Sequence, residues 1–130
     1  YFNTVRTDIA LLLPDKIDKT IEIGCGSGNT LQWLKREKGC RWVCGVELSQ
    51  DAANKAKDKL DLLIEGDIEH IELPFEKESF DLLLCLDVLE HLINPWSVLK
   101  KLAAYIKRNG VLIASIPNVR NIDILARLII

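Results

Sequence analysis

Residues 21–30 read IEIGCGSGNT, an apolar run that stops in three glycines spaced two apart, Gly24, Gly26 and Gly28. A run of this kind reads as a strand turning sharply at its carboxyl end, where bare backbone lets a ligand come close. The dinucleotide fingerprint is G-x-G-x-x-G/A. Gly24 and Gly26 fill its first two positions, but the third falls on Asn29. The phosphate-loop pattern G-x-x-x-x-G-K-[ST] fails as well, because no Lys follows Gly28. A pyrophosphate cradle is therefore the weaker reading, and an NAD(P)-dependent oxidoreductase stands as the alternative.

Outward from this turn, short apolar runs alternate with amphipathic stretches. KTIEIGC (19–25), RWVCGVE (41–47), LDLLIEGD (60–67), SFDLLLCLD (79–87) and VLIASIP (111–117) read as five strands. Between them, NTLQWLKREKG (29–39) reads as a helix stopped by Gly39, and SQDAANKAKDKL (49–60) as a helix capped by Ser49 with Asp51 in its first turn. Asn94-Pro95 opens a third helix, expected to run to about Lys107 and to end at RNG with Gly110 left-handed. RTDIALLLP (6–14) reads as a leading helix stopped by Pro14, and NIDILARLII (121–130) as a closing one. Strands with little in/out alternation, joined by helices, imply a parallel sheet covered on both faces: a doubly wound α/β fold. Ligands of such sheets sit beyond the carboxyl ends of the strands, which singles out residues 24–28, 47–48, 67–68, 85–91 and 117–121.

Composition bounds the function. A chain of 130 residues, 48% hydrophobic and 28% charged, supports one globular domain. A net charge of -2 lacks the basic excess of nucleic-acid binding. Cys25, Cys40, Cys44 and Cys85 form no CxxC, and His70 and His91 add no metal-ligand spacing, so no metal is expected and the thiols read as small buried hydrophobes of a reducing compartment. Without a signal peptide or an apolar run of spanning length, the expectation is a cytoplasmic protein with no membrane role. Tyr1 in first place, the absence of Met and the terminal ARLII suggest a piece of a longer chain.

With EIGCGSGNT, GVELS and EGDIE at successive strand ends, the chain resembles the class I S-adenosylmethionine (SAM)-dependent methyltransferases. FDLLLCLDVLEHLINPW and IPNVRN are similar to a bacterial and archaeal branch of the methyltransferase-11/23 type, and the likeness runs from about Tyr1 to Asn121. The resemblance implies one SAM-binding domain over 1–130, with a Rossmann-like methyltransferase sheet of order 3-2-1-4-5 and residues 1–18 as a leading helix or lid that brings Tyr1, Phe2 and Arg6 over the cofactor. The usual last two strands are expected to be absent, which would leave the fifth strand as an open apolar edge and make a homodimer or a larger parent chain conceivable.

The chemistry of SAM suits the loop. It carries no pyrophosphate, and glycines at 24, 26 and 28, with Cys25 between them, let backbone approach its methionine part. Glu47 falls 23 residues beyond Gly24 (47 − 24), at the end of the second strand, where a carboxylate can accept both ribose hydroxyls. Each such bond contributes roughly 1.5–3 kcal/mol before desolvation. The resemblance further implies Asp67 on the adenine amine, Leu48 and Ile68 on the ring faces, and the backbone of Cys85 and Leu86 beside the methionine part. A turn-forming role is the alternative for Asp67, as it follows Gly66.

Substrate contacts are expected from DVLEHL and from the turn after the fifth strand. Leu86-Asp87-Val88-Leu89 replaces the Asn/Asp-Pro-Pro-aromatic motif of enzymes that methylate nucleobase amines. Asp87 and Glu90 are substrate-side candidates, as are Asn118 and Arg120; His91 is the candidate base toward a hydroxyl, or else a residue that supports the loop. The expected reaction is SAM-dependent methyl transfer, at oxygen, to a small-molecule or carbohydrate-type acceptor. A non-catalytic SAM-binding module is the remaining alternative.

Overall fold

The computed structural model describes residues 4–117 and 123–129. Strands β1 (Lys19–Ile23), β2 (Trp42–Glu47), β3 (Leu62–Glu65), β4 (Phe80–Leu86), β5 (Ile106–Pro117) and β6 (Asp123–Ile129) form one sheet of order β3-β2-β1-β4-β5-β6. The first five run parallel and β6 returns antiparallel to β5. β1 lies mid-sheet, with Glu22 registered against Gly45 of β2 and Leu84 of β4. Helices α1 (Asn29–Glu37), α2 (Gln50–Ala56) and α3 (Pro95–Ala103) carry three of the four crossovers, and turns alone connect β3 to β4.

Each face of the sheet buries its own core, as the near-continuous apolar strands require. Ile21, Ile23, Val46, Leu83 and Cys85 meet Val98 and Leu102 of α3 on one side. Val43, Leu82, Leu84 and Ile113 meet Leu31 and Leu34 of α1, with Ile9 and Ile17 of the leading segment, on the other. Local signals set the helix starts. The Ser49 hydroxyl accepts the Ala52 N–H at 3.3 Å, and the Asn94 side chain accepts the Ser97 N–H at 3.1 Å. Gly39 takes φ +72 just after α1, as its stop requires.

Three elements depart from expectation. The leading segment is a 3-10 helix over Thr7–Leu12, not an α-helix to Pro14. α3 ends at Ala103, and RNG lies inside β5, where the register jumps from Phe80↔Ile106 to Leu82↔Val111. Asn109, not Gly110, carries the positive φ of that bulge (+68), while Gly110 is needed for space: a Cβ there would lie 2.8 Å from the Lys107 carbonyl. Lastly, residues 123–129 form a strand, not a helix. Pairing from Pro117↔Asp123 to Val111↔Ile129 covers the edge of β5 that was expected to stay open. Unpaired N–H and C=O groups on an apolar edge favour a returning hairpin over a helix lying elsewhere.

Candidate functional site

The site is built at the carboxyl ends of β1, β2, β3 and β4. Leaving β1, the chain turns through Gly24 at φ +70, and the N–H groups of Gly24 and Cys25 both donate to the Val46 carbonyl of β2, at 2.7 and 3.2 Å. A Cβ on Gly24 would stand 2.6 Å from Val88 Cγ2, so both conformation and space demand glycine here. Gly26 then donates its N–H to Glu47 Oε1 at 2.7 Å, and Ser49 N–H donates to Glu47 Oε2 at 2.8 Å. Glu47 is thereby fixed at the end of β2, buried, with one protein donor on each oxygen and lone pairs left for a ligand.

Two cavities flank this turn and meet at Gly24 and Asp87. The first, of about 430 Å³, lies between the Thr4–Asp8 segment and Glu22, Gly24, Cys25, Gly26, Thr30, Leu86 and Asp87. The second, of about 400 Å³, is lined by Glu47, Leu48, Asp67, Ile68, Val88 and His91 among others. Ile68 is buried in its wall, whereas Leu48 stands 69% exposed on its rim, an apolar surface available to a flat ring. Asp67 accepts the Glu69 N–H at 3.0 Å and meets His70 Nδ1 at 2.9 Å. These bonds hold its carboxyl below the usual range, the Glu69 amide first, and give it the turn-forming geometry as well as a place in the cavity.

Of the residues singled out in the sequence, the structure places Gly24, Cys25, Gly26, Leu86, Asp87 and Arg6 at the first cavity, and Glu47, Leu48, Asp67, Ile68 and His91 at the second. Gly28 caps α1 at φ +83 and stands back from both. Cys85 faces the core, and Glu90 is exposed outside either cavity. Asn118, Arg120, Tyr1 and Phe2 lie outside the described residues. All four cysteines are buried free thiols, and among the described residues no group of acidic, His and Cys side chains could hold a metal. No helix among them is long and apolar enough to cross a membrane.

One residue was missed. Glu22, 4% exposed, faces the first cavity, and its Oε1 has no hydrogen-bond partner. Burial, and secondarily the charge of Glu47, push its carboxyl up to about 8 against the opposing pull of Arg6. The signal was legible: TIEIG sets one charge inside an interior strand, and an unpaired buried carboxylate is costly unless a cation comes to it.

A doubly wound sheet with a glycine turn and two carboxylates at its ligand-binding edge defines a nucleoside-cofactor-binding α/β domain. Residues 21–114 match the family described as Methyltransferase domain, and the chain belongs to that family, the SAM-dependent class I methyltransferases. The chain is 35% identical over 103 residues to a ubiquinone biosynthesis O-methyltransferase of Bradyrhizobium diazoefficiens, covering 77% of this chain and 40% of that protein. It is 32% identical over 84 residues to the mitochondrial ubiquinone biosynthesis O-methyltransferase of Saccharomyces cerevisiae, covering 62% and 27%. The chain thus spans about 40% of the length of the first of these relatives. Among solved structures, a SAM-dependent methyltransferase of Thermotoga maritima, described as a possible histamine N-methyltransferase, superposes with a TM-score of 0.68 at 30% identity over 85% of this chain and 48% of that one. A SAM-dependent methyltransferase of Mesorhizobium loti, at TM-score 0.74 and 20% identity over 85% and 52%, shares the fold. SAM is the cofactor of the family, and the residues present fit it: an orphaned buried oxygen of Glu22 at one end, a fixed carboxylate at the other, and a turn between them that excludes side chains.

Proposed function

We propose that this chain binds SAM and transfers its methyl group to an oxygen of a small-molecule acceptor. The observation that carries the reading is the pair of carboxylates, Glu22 and Glu47, set on either side of the Gly24–Gly26 turn and facing the two adjoining cavities. In this reading Glu22 receives the methionine ammonium and Glu47 accepts the ribose hydroxyls. Leu48 and Ile68 hold the adenine faces, Asp67 takes the adenine amine, and the backbone of Gly24, Gly26 and Leu86 borders the methionine part. Bound SAM supplies an electrophilic methyl on a sulfonium. The protein's task is then alignment, worth about 7–11 kcal/mol, with a base optional. Asp87, where the two cavities meet, borders the acceptor; Glu90, Asn118 and Arg120 are further substrate-side candidates, and His91 is the candidate base.

Oxygen, rather than nitrogen, rests on the names of the curated relatives, O-methyltransferases of ubiquinone biosynthesis, and phenols are tried as acceptors beside carbohydrates. A single domain over 1–130 with residues 1–18 as its lid and a cytoplasmic location complete the proposal; the homodimer expected from an open β5 edge loses that ground, because β6 covers the edge. The test is calorimetry with SAM on wild type and Glu47→Ala, followed by transfer of labelled methyl to a panel of phenols and sugars. We expect at least tenfold weaker binding by Glu47→Ala and label on an acceptor oxygen. No heat with SAM, or an unaffected Glu47→Ala, overturns the assignment.

A further inference from the structure

We propose that Ser115 is a positioning residue: through Asp87 and Arg6 it latches the Thr4–Asp8 segment over the first cavity. Ser115 sits on β5, paired with Leu86 of β4 on one side and Leu125 of β6 on the other, and its side chain is fully buried. A buried hydroxyl must find partners, and this one finds Asp87 twice. Ser115 Oγ–H donates to Asp87 Oδ1 at 2.7 Å, and Asp87 N–H donates back to Ser115 Oγ at 3.1 Å and to the Ser115 carbonyl at 3.0 Å.

This clasp explains an otherwise unfavourable conformation. Asp87 has φ +57, in the left-handed region that side chains avoid, at the point where both cavities meet. Such a conformation persists where its surroundings over-determine it. With Oδ1 held by Ser115, Oδ2 is presented to Arg6 Nη1 at 3.1 Å, and the same Nη1 reaches Ser115 Oγ at 3.3 Å. Arg6 is also paired through Nε and Nη2 with both oxygens of Asp8, and its backbone N–H donates to Thr30 Oγ1 of α1 at 3.0 Å. The leading segment is therefore tied to α1 by its backbone and to the β4–β5 pair by a guanidinium, and both ties border the first cavity. Ser115 and Asp87 fix where that guanidinium stands. Removing the hydroxyl frees the Asp87 carboxylate, leaving only the main-chain bond from its N–H to the carbonyl of residue 115, and Arg6 loses both an acceptor and a fixed partner.

The consequence for ligand binding rests on the SAM reading above; the latch itself does not. Two measurements on the whole chain separate them. Trypsin cleavage after Arg6, followed by mass spectrometry of the peptide beginning at Thr7, reports whether the segment is held down. Dissociation of S-adenosylhomocysteine (SAH), measured by stopped flow, reports whether the latch retains ligand. Ser115→Ala is expected to speed cleavage after Arg6 and SAH dissociation about tenfold each, with Asp87→Asn doing the same should alanine perturb β5. In an Arg6→Gln background, Ser115→Ala is expected to change SAH dissociation no further. Equal effects of Ser115→Ala with and without Arg6, or a lowered Tm with cleavage unchanged, overturn the proposal in favour of a packing role. Failure of wild type to bind SAH sinks the SAM reading while the cleavage arm still decides the latch.

Discussion

Glu22 concentrates the chemistry of the site. Its ordinary carboxyl value is 4.5, and burial raises it to about 8 in the folded chain. Between those values the folded protein keeps a proton that the unfolded chain has released, so stability falls as pH rises through that window and levels off above it. Glu22→Gln keeps the shape without ionising and so removes the decline. The Tm advantage of the variant over wild type is expected to widen by roughly 5 °C or more from pH 5 to pH 8. A difference that stays flat across that range would refute the assignment. The ligand acts in the opposite sense: an ammonium needs the carboxylate, so wild-type SAH affinity is expected to climb between pH 6 and 8, while Glu22→Gln binds weakly throughout. The glycines and Glu47 were legible because their roles depend on strand ends, which apolar runs mark. Glu22 lies inside such a run, where its signal is the single charge among apolar neighbours and not the strand-end position that marks the others.

Among the elements, β2 supports the binding loop through a missing side chain. Gly45 lies beneath Cys25: a Cβ there would overlap Cys25 Sγ, and would stand 2.9 Å from Cys25 Cβ and 2.8 Å from Leu60 Cδ1. Gly45→Ala must push the loop off the strand, and with it the Gly26 N–H that holds Glu47. We expect a loss of about 1–3 kcal/mol in urea denaturation, typical of overpacking, together with weaker SAH binding. Adding Cys25→Ala is expected to recover part of both; a Gly45→Ala protein as stable as wild type would contradict this close packing. The same scale shows what local sequence can and cannot specify. Ser49, Asn94-Pro95 and Gly39 were readable because a cap is decided within a few residues. The RNG stretch was not, since a glycine after a helix and a glycine in a bulge share one local signature, and only pairing with β4 selects the second. ILARLI likewise becomes a strand because β5 presents it an edge, which no helical periodicity could reveal.

For the molecule as a whole, the strand order places the ends of β1, β2, β3 and β4 around one crevice, and this much followed from the alternation of apolar runs and helices. The partition of that crevice was not legible, because the two cavities meet at the turned-in Asp87 and are bounded by the leading segment, contacts made across the whole chain. A ligand filling both cavities touches both cores' strands at once and must stabilise the folded state globally. By mass action, SAH at one hundred times its Kd adds about 2.7 kcal/mol, which for a domain of this size corresponds to roughly 10 °C in Tm. NAD⁺ at the same concentration is expected to leave Tm unmoved: its pyrophosphate would meet the buried Glu22 carboxyl, whose Oε1 has no donor, and Asn29 stands where the dinucleotide fingerprint requires Gly or Ala. Differential scanning fluorimetry with both compounds decides the matter. An equal shift with NAD⁺ would return the glycine turn to the dinucleotide reading, whereas a shift with SAH alone, cut to about half or less by Glu47→Ala, leaves the two-carboxylate crevice as its explanation.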